Sequence, residues 1–359
     1  MKIINARNVN DAYRQGRALL SEIGVRQSSR AGDVLVAPCP VTTVYERPCE
    51  RVLLDAKRDA NPLFHICEAI WMLAGQSDAR WLDRYVHDFS ARFAEASGHM
   101  HGAYGNRWRG HFMTNEHFFG DQLGVIVERL RRDPDDRRVV ISMWDAETDL
   151  FEADLGVVEP KDLPCNLVVA PRIRREVGPA PGTMQSNGDY IEIEKQYLDI
   201  TVFCRSNDIV FGAYGANAVH FSVLQEYLAS AIGVQVGRLY QISNNWHGYV
   251  DVLKKTEPEY DEDWLNPYSE GLAQPVRVHP LVNVPEAFLR DCEYFVEHRN
   301  AGDHAAYANR WFCETLLPMQ AAHDAYRQKD MSCALAWAEQ VAAPDWRAAC
   351  LAWIQRRMK

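Results

Sequence analysis

The chain has 359 residues, 47% of them hydrophobic, and its 49 acidic residues outnumber 39 basic ones to give a formal net charge of −10. This length and hydrophobic content favour a globular protein with a large core, as one big domain or a domain with an appendage. The acidic balance disfavours nonspecific nucleic-acid binding, because affinity for a polyanion comes from clustered lysine and arginine. We therefore expect no direct nucleic-acid partner.

Targeting and redox signals are also weak. The chain contains no run of about 18 uninterrupted apolar residues, and the N-terminal sequence MKIINARNVNDAYRQG has no apolar signal core. We expect neither membrane insertion nor secretion, which leaves the cytoplasm. The nine cysteines are odd in number and show no CxxC or Cys/His spacing, so we expect reduced thiols and no metal site.

The first half of the chain alternates helical and strand patterns. An amphipathic stripe predicts a helix over 9–24 that ends at a glycine, and the apolar run 62–74 predicts a buried helix. Between them, VLVAP and VTTVYE within 34–46 predict strands. A further helix is expected over 123–130, and a DPDD turn then leads into the apolar strand VVISMW.

The second half predicts a sheet followed by helices. Strands are expected at NLVVAPRI and YLDITVFCRS, and the Gly-, Pro- and Ser-rich stretch 174–196 between them reads as an enlarged hairpin insertion. A long helix follows over 217–232, and two glycines bracket the next strand. We divide the chain into a catalytic domain over 1–280 and a C-terminal extension of two or three helices over 281–359.

The first functional signal is Cys165, in the run Leu-Pro-Cys-Asn, which is followed forty residues later by Arg-Ser-Asn-Asp. A lone cysteine in an apolar strand is more often core packing than a nucleophile. Five further motifs change that reading through their order and spacing. They are Glu68 in EAIWMLAG, AYGNRWR at 103–109, DQL at 121–123, DPDDRRVVISMWD at 133–145 and GRLYQISNNWHGY at 237–249.

Together these motifs resemble the thymidylate synthase family, which includes viral pyrimidine hydroxymethylases, over about residues 10 to 260. The resemblance implies an α/β (α+β) fold, in which a large mixed twisted sheet is packed with helices. It implies transfer of a one-carbon unit from 5,10-methylenetetrahydrofolate to C5 of a pyrimidine nucleotide monophosphate. If a phage encodes the protein, it would act in the host cytoplasm.

The chemistry of that reaction assigns roles to several residues. Carbon 5 becomes nucleophilic only after a group adds to carbon 6, so Cys165 is the expected nucleophile. Arg205 is its expected partner, because a nearby cation favours the thiolate. Glu68 lies in an almost wholly apolar helix and is expected to shuttle protons, the alternative being a buried carboxylate tied to a structural partner. Tyr104 resembles the family tyrosine that assists proton removal from C5.

The phosphate of the nucleotide is expected to meet arginines, since the guanidinium fork donates two hydrogen bonds to one phosphate. The resemblance assigns this role to Arg30, Arg205 and Ser206. It also implies that Arg137 and Arg138 reach the phosphate from the other subunit. A homodimer follows from that sharing.

The base and sugar have their own expected contacts. An amide can donate and accept a hydrogen bond at once, which complements the adjacent carbonyl and N–H of uracil, so Asn217 is expected to select that base. The resemblance implies that family members acting on cytosine have an aspartate at this position. Asn166 replaces the histidine that normally follows the nucleophile, and the loop before Asn217 is one residue longer than usual, so a cytosine substrate remains an alternative. His247 and Tyr249 match the pair that binds the 3′-hydroxyl, which leaves ribose and deoxyribose both open.

The folate side departs from a thymidylate synthase. Ser90 and Phe93 stand where large indoles are expected, and the chain has no recognisable apolar terminal cap. Asp208 resembles the family aspartate that contacts the folate. A more open pocket would admit water and yield a hydroxymethyl product, which makes dUMP hydroxymethylation the preferred prediction. Alternatives are a dCMP hydroxymethylase or methyltransferase, a thymidylate synthase with a new lid, and a noncatalytic nucleotide- or RNA-binding paralogue.

Overall fold

A computed structural model describes residues 1–112, 121–151, 160–184, 190–258, 264–298 and 304–358, with the backbone alone described where the hairpin strands pass through 179–184 and 190. Within these ranges the α-helices are α1 (Val9–Ile23), α2 (Pro62–Leu73), α3 (Phe89–Phe93), α4 (Tyr104–Arg109), α5 (Gln122–Arg132), α6 (Asn217–Ile232), α7 (Val250–Lys255), α8 (Pro285–His298), α9 (Leu317–Arg327), α10 (Met331–Glu339) and α11 (Pro344–Arg356). Short 3₁₀ or π segments cover Ala79–Arg84, Glu147–Phe151, Ile209–Ala216, His304–Ala306 and Phe312–Leu316.

The strands of the described chain form one mixed sheet. They are β1 (Lys2–Ala6), β2 (Val25–Ser29), β3 (Gly32–Val36), β4 (Val41–Tyr45), β5 (Ile141–Ser142), β6 (Asn166–Met184), β7 (Tyr190–Asp208) and β8 (Gln235–Tyr249). The order is β1-β4-β8-β7-β6-β5, and the β2–β3 hairpin joins through β3 beside β8. The β1–β4 and β7–β8 pairs are parallel and the others antiparallel. The predicted mixed sheet packed with helices is therefore confirmed.

The helix predictions were accurate where local caps fix the ends. The Asn8 side chain caps α1, Asn61 caps α2 and Asp121 caps α5, in each case by accepting hydrogen bonds from backbone N–H groups of the first turn. The long helix α6 ends at Gly233, whose φ of +93° is in the left-handed region that glycine adopts without strain. Each capping residue lies next to the helix end that it defines, so these ends can be located from the sequence.

Several strand predictions need correction. The strand expected over 139–144 is reduced to Ile141–Ser142, and β1 and β2 were missed because every β2 residue is exposed and neither strand has a clear apolar alternation. Where the structure describes it, the stretch 174–196, which was expected to be an enlarged hairpin, is made of strand residues. Both flanking strands continue through it, so that β6 and β7 form one long antiparallel ribbon from Asn166 opposite Cys204 to Met184 opposite Tyr190.

The C-terminal segment also differs from its prediction of two or three helices, because the described residues after 281 contain four α-helices. These helices pack behind α2 and continue the main hydrophobic core. Trp81 Nε1 donates to the Val296 carbonyl at 2.9 Å, and the Tyr85 hydroxyl donates to Gln320 at 2.5 Å. Phe288 of α8 is fully buried and stacks on Tyr227 of α6, with ring centroids 5.9 Å apart.

Because this packing is continuous, we predict that the segment 281–359 unfolds together with the rest of the chain. Phe288→Ala should lower the free energy of unfolding by about 3–5 kcal/mol, the usual cost of deleting a buried aromatic ring. Trp337→Ala, at a 37% exposed position on α10, should cost less than about 1 kcal/mol. Urea unfolding followed by tryptophan fluorescence and by far-ultraviolet circular dichroism measures both. Two separate transitions in the unmodified protein would contradict a single cooperative core.

Candidate active site

Cys165 lies directly before β6, at the end of the sheet where several candidate residues meet. The Tyr104 hydroxyl accepts hydrogen bonds from the backbone N–H groups of Cys165 and Asn166, at 3.1 and 3.2 Å. On the other side, the Arg205 N–H donates to the Cys165 carbonyl at 2.9 Å. The first turn of α4 and the end of β7 therefore hold the cysteine between them.

The Arg205 guanidinium binds the loop that carries the thiol. Its Nε donates to the Pro164 carbonyl at 2.8 Å and its Nη2 to the Leu163 carbonyl at 3.1 Å. Burial raises the pKa of the Cys165 thiol, the positive charge of Arg205 lowers it, and the negative charge of Asp162 raises it. The net direction is upward, so the thiol of the ligand-free protein is held mainly protonated at neutral pH.

A cavity of about 250 Å³ opens beside this loop. Its apolar wall suits a planar ring such as the pterin of a folate, because aromatic faces stack well on flat conjugated systems. That wall consists of Phe64, Trp71, Met72, Phe89, Phe93, Met100 and Phe211. Its polar lining consists of Glu68, Tyr104, Asp162, Asn217 and His220.

Glu68 faces His220 across the cavity, from α2 to α6. His220 Nε2 lies 2.9 Å from Glu68 Oε2, within ion-pair distance, and neither atom has a hydrogen-bond partner among the described residues. Buried polar atoms left unpaired are costly unless a ligand or water completes them. This pair is therefore available to bind a substrate group or an ordered water.

Asn217 belongs to a buried amide network. Its Oδ1 accepts from Asn166 Nδ2 at 3.2 Å, and its Nδ2 donates to Asn207 Oδ1 at 3.1 Å. Asn207 donates in turn to the Ser243 hydroxyl at 3.0 Å, and the Cys204 thiol donates to Asn166 Oδ1 at 2.9 Å. The network fixes the orientation of the Asn217 amide, and Asn166 takes part in it.

The residues expected to bind sugar and phosphate lie on β8 and on the neighbouring hairpin. The rings of His247 and Tyr249 are 5.6 Å apart on one face of β8. Arg30 is exposed in the turn between β2 and β3. Burial raises the pKa of Tyr249, and the positive charge of Arg30 lowers it in part. Ser206 lies on β7 opposite Asn245 of β8. These side chains border the same end of the sheet as Cys165.

Asp208 ends β7 and caps the turn that follows. Its Oδ1 accepts from the N–H groups of Val210 and Phe211, at 2.9 and 2.6 Å. Its Oδ2 is buried and has no hydrogen-bond partner within the described part of the chain, and burial raises the pKa of the carboxyl. One oxygen is therefore structural and the other can receive a donor from a ligand.

Three predicted site residues lie apart from this group in a single protomer. Arg137 and Arg138 are exposed on the turn before β5, where Arg138 pairs with Asp136 at 2.8 Å. Ser90 donates to Asp83 at 2.6 Å and does not line the cavity. Phe93, at the other end of the same short helix, does line it.

The sequence reading missed Asp162 and His220 as cavity residues. His220 is three positions after Asn217, so helical spacing offered a signal that both side chains face one way. Asp162 is three residues before Cys165, but its burial is a property of the fold. That burial raises the pKa of Asp162 to about 6.

Two findings bear on other classes of function. Across the residues that the structure describes, no three His, Cys, Asp or Glu side chains come together as metal ligands. No helix among them is both long and apolar enough to cross a membrane.

The thymidylate synthase family profile matches residues 50–263. The chain is 41% identical to the deoxyuridylate hydroxymethyltransferase of Pseudomonas phage M6, over 99% of this chain and 95% of that protein. It is 32% identical to the deoxyuridylate hydroxymethyltransferase of Bacillus phage SP01, over 59% of this chain and 50% of the relative. The thymidylate synthase of Streptococcus mutans is 28% identical over 54% of this chain and 58% of its own length.

The electrostatics of the nucleophile loop predict how Cys165 reacts in the ligand-free protein. The rate of its alkylation by iodoacetamide should rise with pH, and the midpoint of that rise should lie above the value of about 8.5 for an ordinary thiol, because burial raises the pKa of Cys165. Arg205→Gln removes a charge that lowers this pKa, so the midpoint should rise further. Peptide mass spectrometry follows Cys165, with the fully buried Cys292 of α8 in the same digest as the control for unfolding. A downward shift in the variant would contradict the assigned role of Arg205.

Proposed function

Because the chain belongs to the thymidylate synthase family, we propose that it hydroxymethylates C5 of dUMP, with 5,10-methylenetetrahydrofolate as the one-carbon donor. The family and the enzyme class predicted from the sequence, a pyrimidine nucleotide C5 (hydroxy)methyltransferase, are confirmed. The observation that carries the specific proposal is the 41% identity with a phage deoxyuridylate hydroxymethyltransferase over nearly the whole of both chains. That likeness includes the C-terminal helices.

In this proposal, Cys165 adds to C6 of the base and makes C5 nucleophilic. The raised thiol pKa means that a proton must leave as the adduct forms, and the positive charge of Arg205 favours that ionisation. Family members use methylenetetrahydrofolate to supply the carbon that C5 attacks. Glu68 and Tyr104 then handle protons at the base, since both line the cavity next to the thiol loop. Restoration of the C5–C6 double bond expels the cysteine.

Asn217 is proposed to select uracil. Its amide is held in one orientation by Asn166 and Asn207, so it can present a donor and an acceptor to the adjacent carbonyl and N–H of the base. A site built from oriented buried hydrogen bonds rejects a mismatched base by about 10⁴-fold or more. An aspartate at this position would favour cytosine, which makes dCMP the alternative substrate.

We propose that Arg30, Arg205 and Ser206 hold the phosphate, and that His247 and Tyr249 bind the sugar. Arg137 and Arg138 of a second copy would complete the phosphate site. This copy is proposed to cover the solvent-facing side of the sheet, where Val168, Phe203 and Ile242 lie in one row of paired strands. Phe203 is 38% exposed at the centre of that face, and a central apolar patch is typical of an interface.

We propose a hydroxymethyl product because the cavity expected to hold the folate is partly exposed and has polar groups in its wall. Phe93, which lines the cavity, is 36% exposed, and Asp162 brings a carboxyl group to the same cavity. Water can then compete for the exocyclic methylene that is formed at C5, whereas a thymidylate synthase must exclude it. The balanced reaction consumes dUMP, methylenetetrahydrofolate and water and yields 5-hydroxymethyl-dUMP and tetrahydrofolate. Since two similar proteins come from phages, we infer action in a host cytoplasm.

The first experiment is incubation of the purified protein with methylenetetrahydrofolate and either dUMP or dCMP, followed by mass spectrometry of the nucleotide. We expect 5-hydroxymethyl-dUMP, no reaction of dCMP, and no rise in dihydrofolate absorbance. Cys165→Ala should abolish turnover while dUMP binding, measured by calorimetry, changes little. Cys333→Ala is the control.

Other outcomes of this experiment have definite meanings. A methyl product with dihydrofolate would indicate a thymidylate synthase, and reaction of dCMP alone would overturn the role of Asn217. Tight dUMP binding without any release of the C5 hydrogen would indicate a noncatalytic paralogue. Turnover by Cys165→Ala would exclude the covalent mechanism.

The proposed sharing of arginines predicts complementation between two inactive variants. Neither Cys165→Ala nor the double variant Arg137→Ala/Arg138→Ala should turn over at a normal rate. After subunit exchange, a mixed dimer would contain one site with both defects and one with neither. Random pairing in a two-fold dimer then restores about one quarter of the sites. Absence of any recovery, with exchange verified by native mass spectrometry, would contradict the shared site.

A further inference from the structure

Asp162 is a carboxylate of the reaction cavity that the mechanism above leaves without a role. It lies in the same cavity as Glu68 and Tyr104 and is three residues before Cys165. It packs closely against Gly102, where the Cβ of any larger residue would come within 3.0 Å of Asp162 Oδ2. The absence of a side chain at Gly102 therefore leaves room for the carboxylate at this wall.

Charged and titratable groups from several elements of the fold surround Asp162. Burial raises its pKa to about 6, His101 lowers it, Glu68 of α2 raises it, and Arg205 of β7 lowers it. On α4 and the nucleophile loop, Tyr104 and Cys165 have pKa values that the charge of Asp162 raises. At neutral pH the group is mostly ionised, yet close enough to neutrality to accept a proton.

Glu68 and Asp162 have different surroundings within one cavity. Glu68 lies 2.9 Å from His220, which follows Asn217 on α6, and so belongs to the side that faces the base. Asp162 lies on the loop of the nucleophile, against Gly102. Two carboxyl groups with different environments in one site commonly divide the acid and base work between them.

We propose that Asp162 is the general base for the water that attacks the exocyclic methylene at C5. This inference rests on the proposed hydroxymethylase function. The Asp162 carboxylate takes one proton from water as the water oxygen bonds to the methylene carbon. The electron pair of the methylene double bond moves into the C5–C4 enolate. Collapse of the enolate re-forms the C5–C6 double bond and breaks the C6–S bond, so that Cys165 leaves as a thiolate.

The same proton transfer helps to release the nucleophile. While Asp162 is ionised, its charge opposes a thiolate on Cys165. Once Asp162 has taken the proton from water, that repulsion is gone and the sulfur leaves more easily as an anion. The proton then passes to the thiolate or to solvent, and no oxidant or reductant is consumed. Water attack and product release are thereby coupled through one carboxyl group.

The test variant is Asp162→Asn, compared with Glu95→Gln as a matched loss of one carboxylate outside the cavity. Glu95 accepts a hydrogen bond from the neighbouring Lys161 N–H at 3.0 Å. We expect Asp162→Asn to lower hydroxymethyl formation about 100-fold, the usual contribution of a general base. In a single turnover with enzyme in excess over dUMP, release of tritium from C5 should stay within about 3-fold, because this step precedes water attack. Glu95→Gln should change neither rate.

Two further readouts separate catalysis from a structural role. With 2-mercaptoethanol present, Asp162→Asn should form the 5-thioether of dUMP, because the thiol captures the methylene that water no longer attacks efficiently. Without any folate, the alkylation midpoint of Cys165 should move to lower pH, because a repulsive charge has been removed. In the unmodified enzyme, hydroxymethyl formation should fall as the pH drops through about 6, and Asp162→Asn should lose this limb.

The proposal is overturned if Asp162→Asn makes hydroxymethyl product at the normal rate, or if tritium release within a single turnover falls as much as product formation. The second result would assign the residue to an earlier step. If Asp162→Asn does not fold, the test uses Asp162→Ser together with the pH profile of the unmodified enzyme. A flat profile near pH 6 would likewise overturn the proposal. Failure of the hydroxymethylase function itself is distinguishable, because the unmodified enzyme would then make no hydroxymethyl product.

Discussion

The pairing of β7 with both of its neighbours is the constraint on which the rest of the site depends. Antiparallel pairing places Cys204 opposite Asn166, the residue after the nucleophile, and parallel pairing places Asp208 opposite His247. A shift of one residue in either register would turn the side chains to the opposite face of the sheet. The strand register thus sets which side chains of the loop, of β7 and of β8 meet at this end of the sheet.

The helical side of the cavity has a matching support behind it. Arg51 forms a buried ion pair with Glu226 of α6, and the Leu281 N–H donates to the same carboxylate at 2.6 Å. Removing one member of a buried pair leaves an uncompensated charge, which is strongly destabilising. Glu226 is on the helix that begins with Asn217, so the start of the C-terminal segment is tied to the helix that carries the Asn217 amide.

Much of this arrangement could be predicted from the sequence, for reasons that are local. Caps such as Asn8 and Asp121 define helix ends within a few residues, and the motifs around Cys165 and Arg205 carry their chemistry with them. What escaped prediction depends on the assembled fold. Strand β2 escaped prediction because all of its residues are exposed. The packing of the last helices on α2 involves residues hundreds of positions apart. The sequence alone does not single out Asp162, because its raised pKa comes from burial in the folded protein.

The difference between a methyl and a hydroxymethyl product is a competition between hydride and water for one carbon atom. An open wall alone would admit water without activating or orienting it. A carboxylate there would do both, but its charge opposes the thiolate on which the covalent step depends. Arg205 offsets part of this repulsion while it binds the loop at Leu163 and Pro164. Arg205 and Asp162 therefore act on the pKa of Cys165 in opposite directions, and in the proposed mechanism a proton moving to Asp162 shifts the balance from holding the adduct to releasing it.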